Sequence, residues 1–204
     1  MANLLDIIGS TIIGGIIVLM LVVFNGNVVG SSGLQTFKTI VAGNTTALSD
    51  IVENDLRKAG YRVPTVADSA ITYADSNKIT FKGDFNDDGV VETMEYYFDP
   101  TPVAGISNRH IGVLYRHKIG QAPQAMYLGV TRFCLKYYDK NDQLFLVNRV
   151  MQPSKIRSVR ISATVESSER FAAVGGPGAV GTTYDDTTYS GIYWERKIKP
   201  KNMR

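Results

Sequence analysis

The chain has 204 residues, 44% apolar and 20% charged, which suits a folded domain with an added element and excludes a largely disordered chain. Its formal charge is +3, and Lys and Arg are scattered apart from a dense run at 196–201, so the linear sequence shows no basic stripe and predicts no nucleic-acid partner. That run reads as a solvated end or a charged strand edge. The single cysteine, Cys134, excludes an intramolecular disulfide, and His110 and His117 have no Cys or His cluster beside them, which argues against zinc.

From the N-terminus, residues 7–24 carry no charge and are dominated by Ile, Val and Leu. About 20 apolar residues in a helix cross a bilayer core. Leu4, Leu5, Val28 and Val29 extend the run at its ends. The rest of the chain is too small to bury such a helix on all sides, so the segment is expected in lipid or among copies of itself. The first basic residue is Lys38 and Asn25-Gly26-Asn27 is a poor cleavage site, so the segment does not read as a cleaved secretory signal. Asp6 stands at the start of this run, where a carboxylate is costly without a partner. With Met1 removed, Asp6 becomes the fifth residue, and the amine of Ala2, on its own or a neighbouring copy, is the available cation. An acid at a helix start is also favoured by the helix dipole, and that plainer reading stands beside the first. Gly9, Gly14 and Gly15 allow close approach of a second helix.

The segment Ala2-Asn3-Leu4-Leu5-Asp6, followed by a long apolar helix, resembles the N-terminus of type IV pilins and pseudopilins, with Asp where that family usually has Glu. Further on, Asp55-Leu56-Arg57-Lys58-Ala59-Gly60-Tyr61 resembles the helix end of W-type minor pilins. The similarity covers the first 61 residues well and the later strand pattern loosely. It implies a structural, non-enzymatic subunit whose fifth-position acid pairs with the N-terminal amine of the adjacent copy. It also implies a helical homo-oligomer built through N-terminal helices, residence in the inner membrane before assembly, the pilus assembly machinery as a partner, and a filament at the cell surface. The disulfide near the C-terminus of many pilins has no counterpart here.

Residues 25–33 contain three glycines, each costing ~1 kcal/mol relative to Ala, which predicts a kink or a break in the helix. Beyond it, Leu34, Phe37, Val41, Leu48, Val52 and Leu56 recur near the helical period, with Thr45 in the missing turn and Lys38, Asn44, Asp50, Glu53 and Lys58 opposite. Gly60 is the expected stop and Pro64 bars continuation. Strand-like runs follow at 71–73, 78–82, 93–98, 111–117, 130–138 and 156–165. The last is clearest: Val159, Ile161, Ala163 and Val165 alternate with Ser158, Arg160, Ser162 and Thr164. The expected fold is therefore α+β, with an antiparallel sheet head packed on the C-terminal half of a long helix. The implied division is an apolar helix over 1–29, an amphipathic helix over 30–60, and a β-rich head over 61–204. Residues 174–191 read as an exposed loop in which Tyr184 and Tyr189, with Tyr193 and Trp194 just beyond, offer aromatic contacts to a neighbour.

Asp84, Asn86, Asp88, Val90, Glu92 and Glu95 match the spacing of a twelve-position calcium loop, with Gly89 at the sharp turn. Ca2+ is the one cofactor the sequence suggests. The flanks are strand-like, however, and the same residues describe a plain polar hairpin turn. No nucleophile with a base, phosphate loop or paired-carboxylate signature is evident. A filament subunit is the leading expectation, and a single-pass, membrane-anchored binding module, with calcium as a candidate ligand, is the alternative.

Overall fold

The computed structural model describes residues 2–64, 69–146, 150–169, 171–172, 187–200 and 202. It opens with a single helix, α1, Ala2–Arg57. The expected break over 25–33 is absent, and the two segments read as separate helices run together without interruption from Ala2 to Arg57. Helix propagation is cooperative once nucleated, so an unbroken hydrogen-bond ladder outweighs the modest cost of three glycines.

The head holds a five-stranded antiparallel meander in the order β1 (Ile71–Ala74), β2 (Lys78–Gly83), β3 (Glu92–Asp99), β4 (Val113–Lys118) and β5 (Gln124–Met126). A second antiparallel sheet is built from β6 (Val130–Tyr138), β7 (Ser158–Glu166) and β10 (Gly191–Ile198), with β7 in the centre. A small pair, β8 (Phe171–Ala172) and β9 (Thr187–Thr188), lies between β7 and β10 in sequence. The strands thus divide between sheets instead of forming one. Backbone contacts hold the two main sheets together: the Leu135 amide of β6 donates to the Ser76 carbonyl in the β1–β2 turn at 2.7 Å, and the Gly112 amide just before β4 to the Val130 carbonyl of β6 at 2.9 Å.

One hydrophobic core joins helix and sheets. Val41, Leu48, Val52 and Leu56 are buried, and Thr45 completes the stripe by donating to the Val41 carbonyl at 2.8 Å. Each such apolar side chain contributes roughly 1.5–3 kcal/mol when removed from water. Leu34 and Phe37, further out on the same stripe, are only half-buried. Ile79, Phe81, Met94, Tyr96 and Leu114 come from the first sheet, and Phe133, Leu135, Ile161 and Val165 from the second. The predicted alternation of β7 is observed, with Val159, Ile161, Ala163 and Val165 all in the core. The helix packs against β10 and β7. Three residues past its end, Gly60 takes a φ of 79°, the left-handed conformation expected of a stop residue.

Candidate functional site

The outer half of α1 is the most unusual surface of the chain. Its side chains project all round the helix, and nothing in the head covers them. Ile7, Ile12, Ile13, Leu19, Leu21, Val22 and Phe24 are each more than half exposed. Residues 7–24 rise about 27 Å at ~1.5 Å per residue, close to the ~30 Å of a bilayer core. The hydroxyl of Ser10 donates to the Ile7 carbonyl at 2.9 Å, and that of Thr11 reaches the Ile7 and Ile8 carbonyls at 3.0 and 2.9 Å. These polar groups are satisfied inside the helix, so an apolar medium meets no unpaired hydroxyl there.

Asp6 is exposed in the second turn of this helix. Ala2 begins the helix, and its side chain lies outside the described residues. At Gly9, Gly14 and Gly15 a Cβ would meet nothing within 4 Å, so the backbone is open to a neighbour at all three. They are not aligned on one face, because five and six residues of helix turn through ~140° and ~240°.

The Asp-rich segment forms the β2–β3 hairpin loop. Asp84 is fully buried; its Oδ2 accepts from Arg62 Nη1 at 2.8 Å and from the Gly89 amide at 2.9 Å. Burial pushes the Asp84 carboxyl up, but the Gly89 amide, the Arg62 guanidinium and the Asp87 amide together outweigh it and hold the group below its ordinary value. Asp88 accepts from the Val90 amide at 2.7 Å and from Asn86 Nδ2 at 2.7 Å, while Val90 itself is exposed. The last two calcium-loop positions lie elsewhere. Glu92 pairs with Lys118 across β3 and β4. Glu95 is held by Lys78 at 3.0 Å and Thr80 at 3.1 Å. Among the described residues, no group of three or more His, Cys, Asp or Glu side chains is placed to hold a metal ion. Two side-chain cations engage this loop: Arg62 at Asp84, and Lys58, which reaches Asp87 at 3.0 Å and the Phe85 carbonyl at 2.7 Å; Arg62 also takes a left-handed φ of 58°.

Sequence reasoning placed Asp55 only within the Asp55–Tyr61 resemblance. In the structure it is a buried carboxylate on the helix face turned to the first sheet, accepting from Tyr96 Oη at 2.5 Å and Arg116 Nε at 2.6 Å. The signal in the sequence was its position three residues beyond Val52, on the edge of the apolar stripe.

Of the expected aromatic loop, Tyr184 lies outside the described residues. Tyr189 donates to the Ser107 carbonyl at 2.9 Å. Tyr193 and Trp194 belong to β10: Tyr193 is exposed, while Trp194 is half-buried and packs on the core. Cys134 sits half-buried in β6.

A long helix, apolar and uncovered at one end and packed into an α+β head at the other, defines the architectural class of this chain. No family model matches the sequence, and no curated protein matches it. Among solved structures it is similar to a type IV-like pilin from Thermus thermophilus, at 13% identity and a TM-score of 0.48, over 80% of this chain and 98% of that one.

Proposed function

We propose that the chain is a pilin-like structural subunit of an extracellular helical filament of the type IV pilus or type II secretion kind. The observation that carries this reading is the bare apolar half of α1, which projects from a head that covers only the other half. Burying such side chains is worth roughly 1.5–3 kcal/mol each, so the segment needs a cover. Lipid supplies it before assembly, and the same segments of sister subunits supply it afterwards. In the filament, the Asp6 carboxylate takes the N-terminal amine of the adjacent copy as its counter-charge and sets the register between subunits. The N-terminal resemblance at residues 2–6 and the open backbone at Gly9, Gly14 and Gly15 support this arrangement.

The test is an Asp6→Ala variant expressed in the native host. The head retains its circular dichroism and the chain stays in the membrane, while sheared surface material contains no filaments by negative-stain imaging. Filaments of normal number and length from the variant overturn the role of Asp6. A wild-type chain that detergent releases only as monomers, with no filament under any growth condition, favours the membrane-anchored binding module instead.

A further inference from the structure

Cations that are scattered in the sequence meet on one end of the second sheet. In the strand register, Arg160 of β7 stands directly opposite Lys136 of β6 on one side and Lys197 of β10 on the other. Three like charges therefore line up across neighbouring strands, each ~4.8 Å from the next. Directly opposed like charges destabilise a sheet, so the row favours anions beside it, which Glu195 and Asp142 supply only at Arg160 and Lys197 among the described residues. It lies on the face turned away from the core, since Val159 and Ile161 on either side of Arg160 point inward.

The same end gathers more charge. Lys140 follows β6, Arg157 precedes β7 and Lys199 follows β10. Together with Ser158 and Lys197 they line a cleft of about 370 Å³ that also includes Asp139 and Asp142. Asp142 pairs with Lys197, and Glu195 reaches Arg160 at 3.6 Å. Six basic and three acidic side chains leave a surplus of three here, equal to that of the whole chain, so the remainder is formally neutral. At the centre of the row, the buried Nε of Arg160 has no hydrogen-bond acceptor.

The aromatic beneath this face indicates how an anion is met. Tyr138 is 7% exposed, with Arg160 5.2 Å and Lys197 3.7 Å from its ring centroid. Its ring face is occupied by cations and is not open to stack a nucleobase. We propose that this end of the three-stranded sheet docks the phosphodiester backbone of double-stranded nucleic acid, through charge and without reading sequence. A duplex carries one negative charge per ~1.7 Å of axis, a density that matches closely set cations better than an acidic glycan whose carboxylates stand a sugar apart. No residue of the outer half of α1 takes part, so the proposal stands independently of filament assembly.

The experiment uses the full-length chain in detergent micelles and fluorescein-labelled duplexes of two unrelated sequences, titrated by anisotropy. The two duplexes bind alike. With three or four phosphates engaged, affinity falls on the order of 10²-fold between 50 and 200 mM salt. The triple variant Lys136→Gln/Lys140→Gln/Lys199→Gln binds at least tenfold more weakly with a flatter salt slope, and Arg109→Gln, exposed elsewhere on the head, changes nothing. Should the triple variant misfold by circular dichroism, Lys136→Glu alone carries the test and lowers affinity severalfold. Wild-type affinity in a folded charge variant overturns the proposal. So does tighter binding of a polyuronate, or of single-stranded oligothymidine, than of duplex.

Discussion

The Asp55 carboxylate and the Arg116 guanidinium form a two-point contact, Nε to Oδ2 at 2.6 Å and Nη2 to Oδ1 at 3.3 Å, that ties the last turns of α1 to β4. The side chain of Asp55 is 6% exposed and that of Arg116 is 28% exposed, so solvent offers the carboxylate little compensation. Removing one partner of such a pair leaves a buried charge at a cost of about 3–5 kcal/mol. Arg116→Met is expected to lose that much in urea unfolding of the full-length chain in detergent. The double variant Asp55→Leu/Arg116→Met is expected to recover part of the loss, because it removes the stranded charge but leaves the buried Tyr96 hydroxyl without either partner. A double variant no more stable than the single one counts against this account.

Two buried phenols set the alkaline limit of the fold. Burial, then the Asp55 charge, pushes Tyr96 well above its ordinary value; burial, then the Asp75 charge, does the same for Tyr137. Above about pH 10 the unfolded chain sheds these protons while the folded chain keeps them, so stability falls as pH rises. The slope is about 1.4 kcal/mol per pH unit for each tyrosine until the folded groups themselves ionise. Tyr137→Phe, which also removes the bond to the Asp75 carbonyl at 2.7 Å, is expected to be less stable at pH 8 but to show a shallower slope than the wild type between pH 10 and 11. Urea midpoints across that range decide it, and an unchanged slope excludes Tyr137 as a source.

What was legible in the sequence follows from whether a pattern is local. The stripe Val41, Leu48, Val52 and Leu56 and the alternation of β7 are single-element signals, and both are found as read. β10 was hidden because Glu195, Arg196 and Lys197 are three charges in a row, which erases the two-residue period. In the structure Arg196 lies on the same strand face as Trp194 and Ile198 but stays exposed and reaches Glu53 of α1 at 3.4 Å, so a charge stands where the period calls for an apolar residue. The basic face was equally hidden, since 136–140, 157–160 and 197–199 meet only through strand register. The calcium-loop spacing was read from side-chain types alone, and it could not reveal that strand pairing draws Glu92 and Glu95 toward lysines.

Arg62 occupies the carboxylate that a divalent cation in the β2–β3 loop would need. With Arg62 on Asp84, the folded carboxyl lies below its unfolded value, so the pair's stability is present above the unfolded value and is lost as pH falls through the folded one. Arg62→Gln is expected to lower the thermal midpoint and to shrink the stability lost between pH 5 and pH 2. It also frees Asp84, Asn86 and Asp88 to gather a cation, so calcium is expected to raise the variant's midpoint more than the wild type's. A larger calcium shift in the wild type makes the ion, and not Arg62, the resident partner of the loop.

Gly60, just past the helix end, lies close against Asn202. Its φ of 79° is unfavourable for any residue with a side chain, and a Cβ would stand 2.8 Å from the Asn202 carbonyl oxygen. Its amide meanwhile donates to the Lys82 carbonyl at 2.8 Å, which holds this turn against β2. Gly60→Ala therefore has to strain the backbone, displace Asn202, or give up the bond to β2. The expected cost is about 1–3 kcal/mol, and hydrogen exchange is expected to quicken at the Gly60 and Lys82 amides while the amides of β7 stay protected. Equal stability and unchanged exchange in the variant would mean that the turn reaches its left-handed conformation without needing glycine.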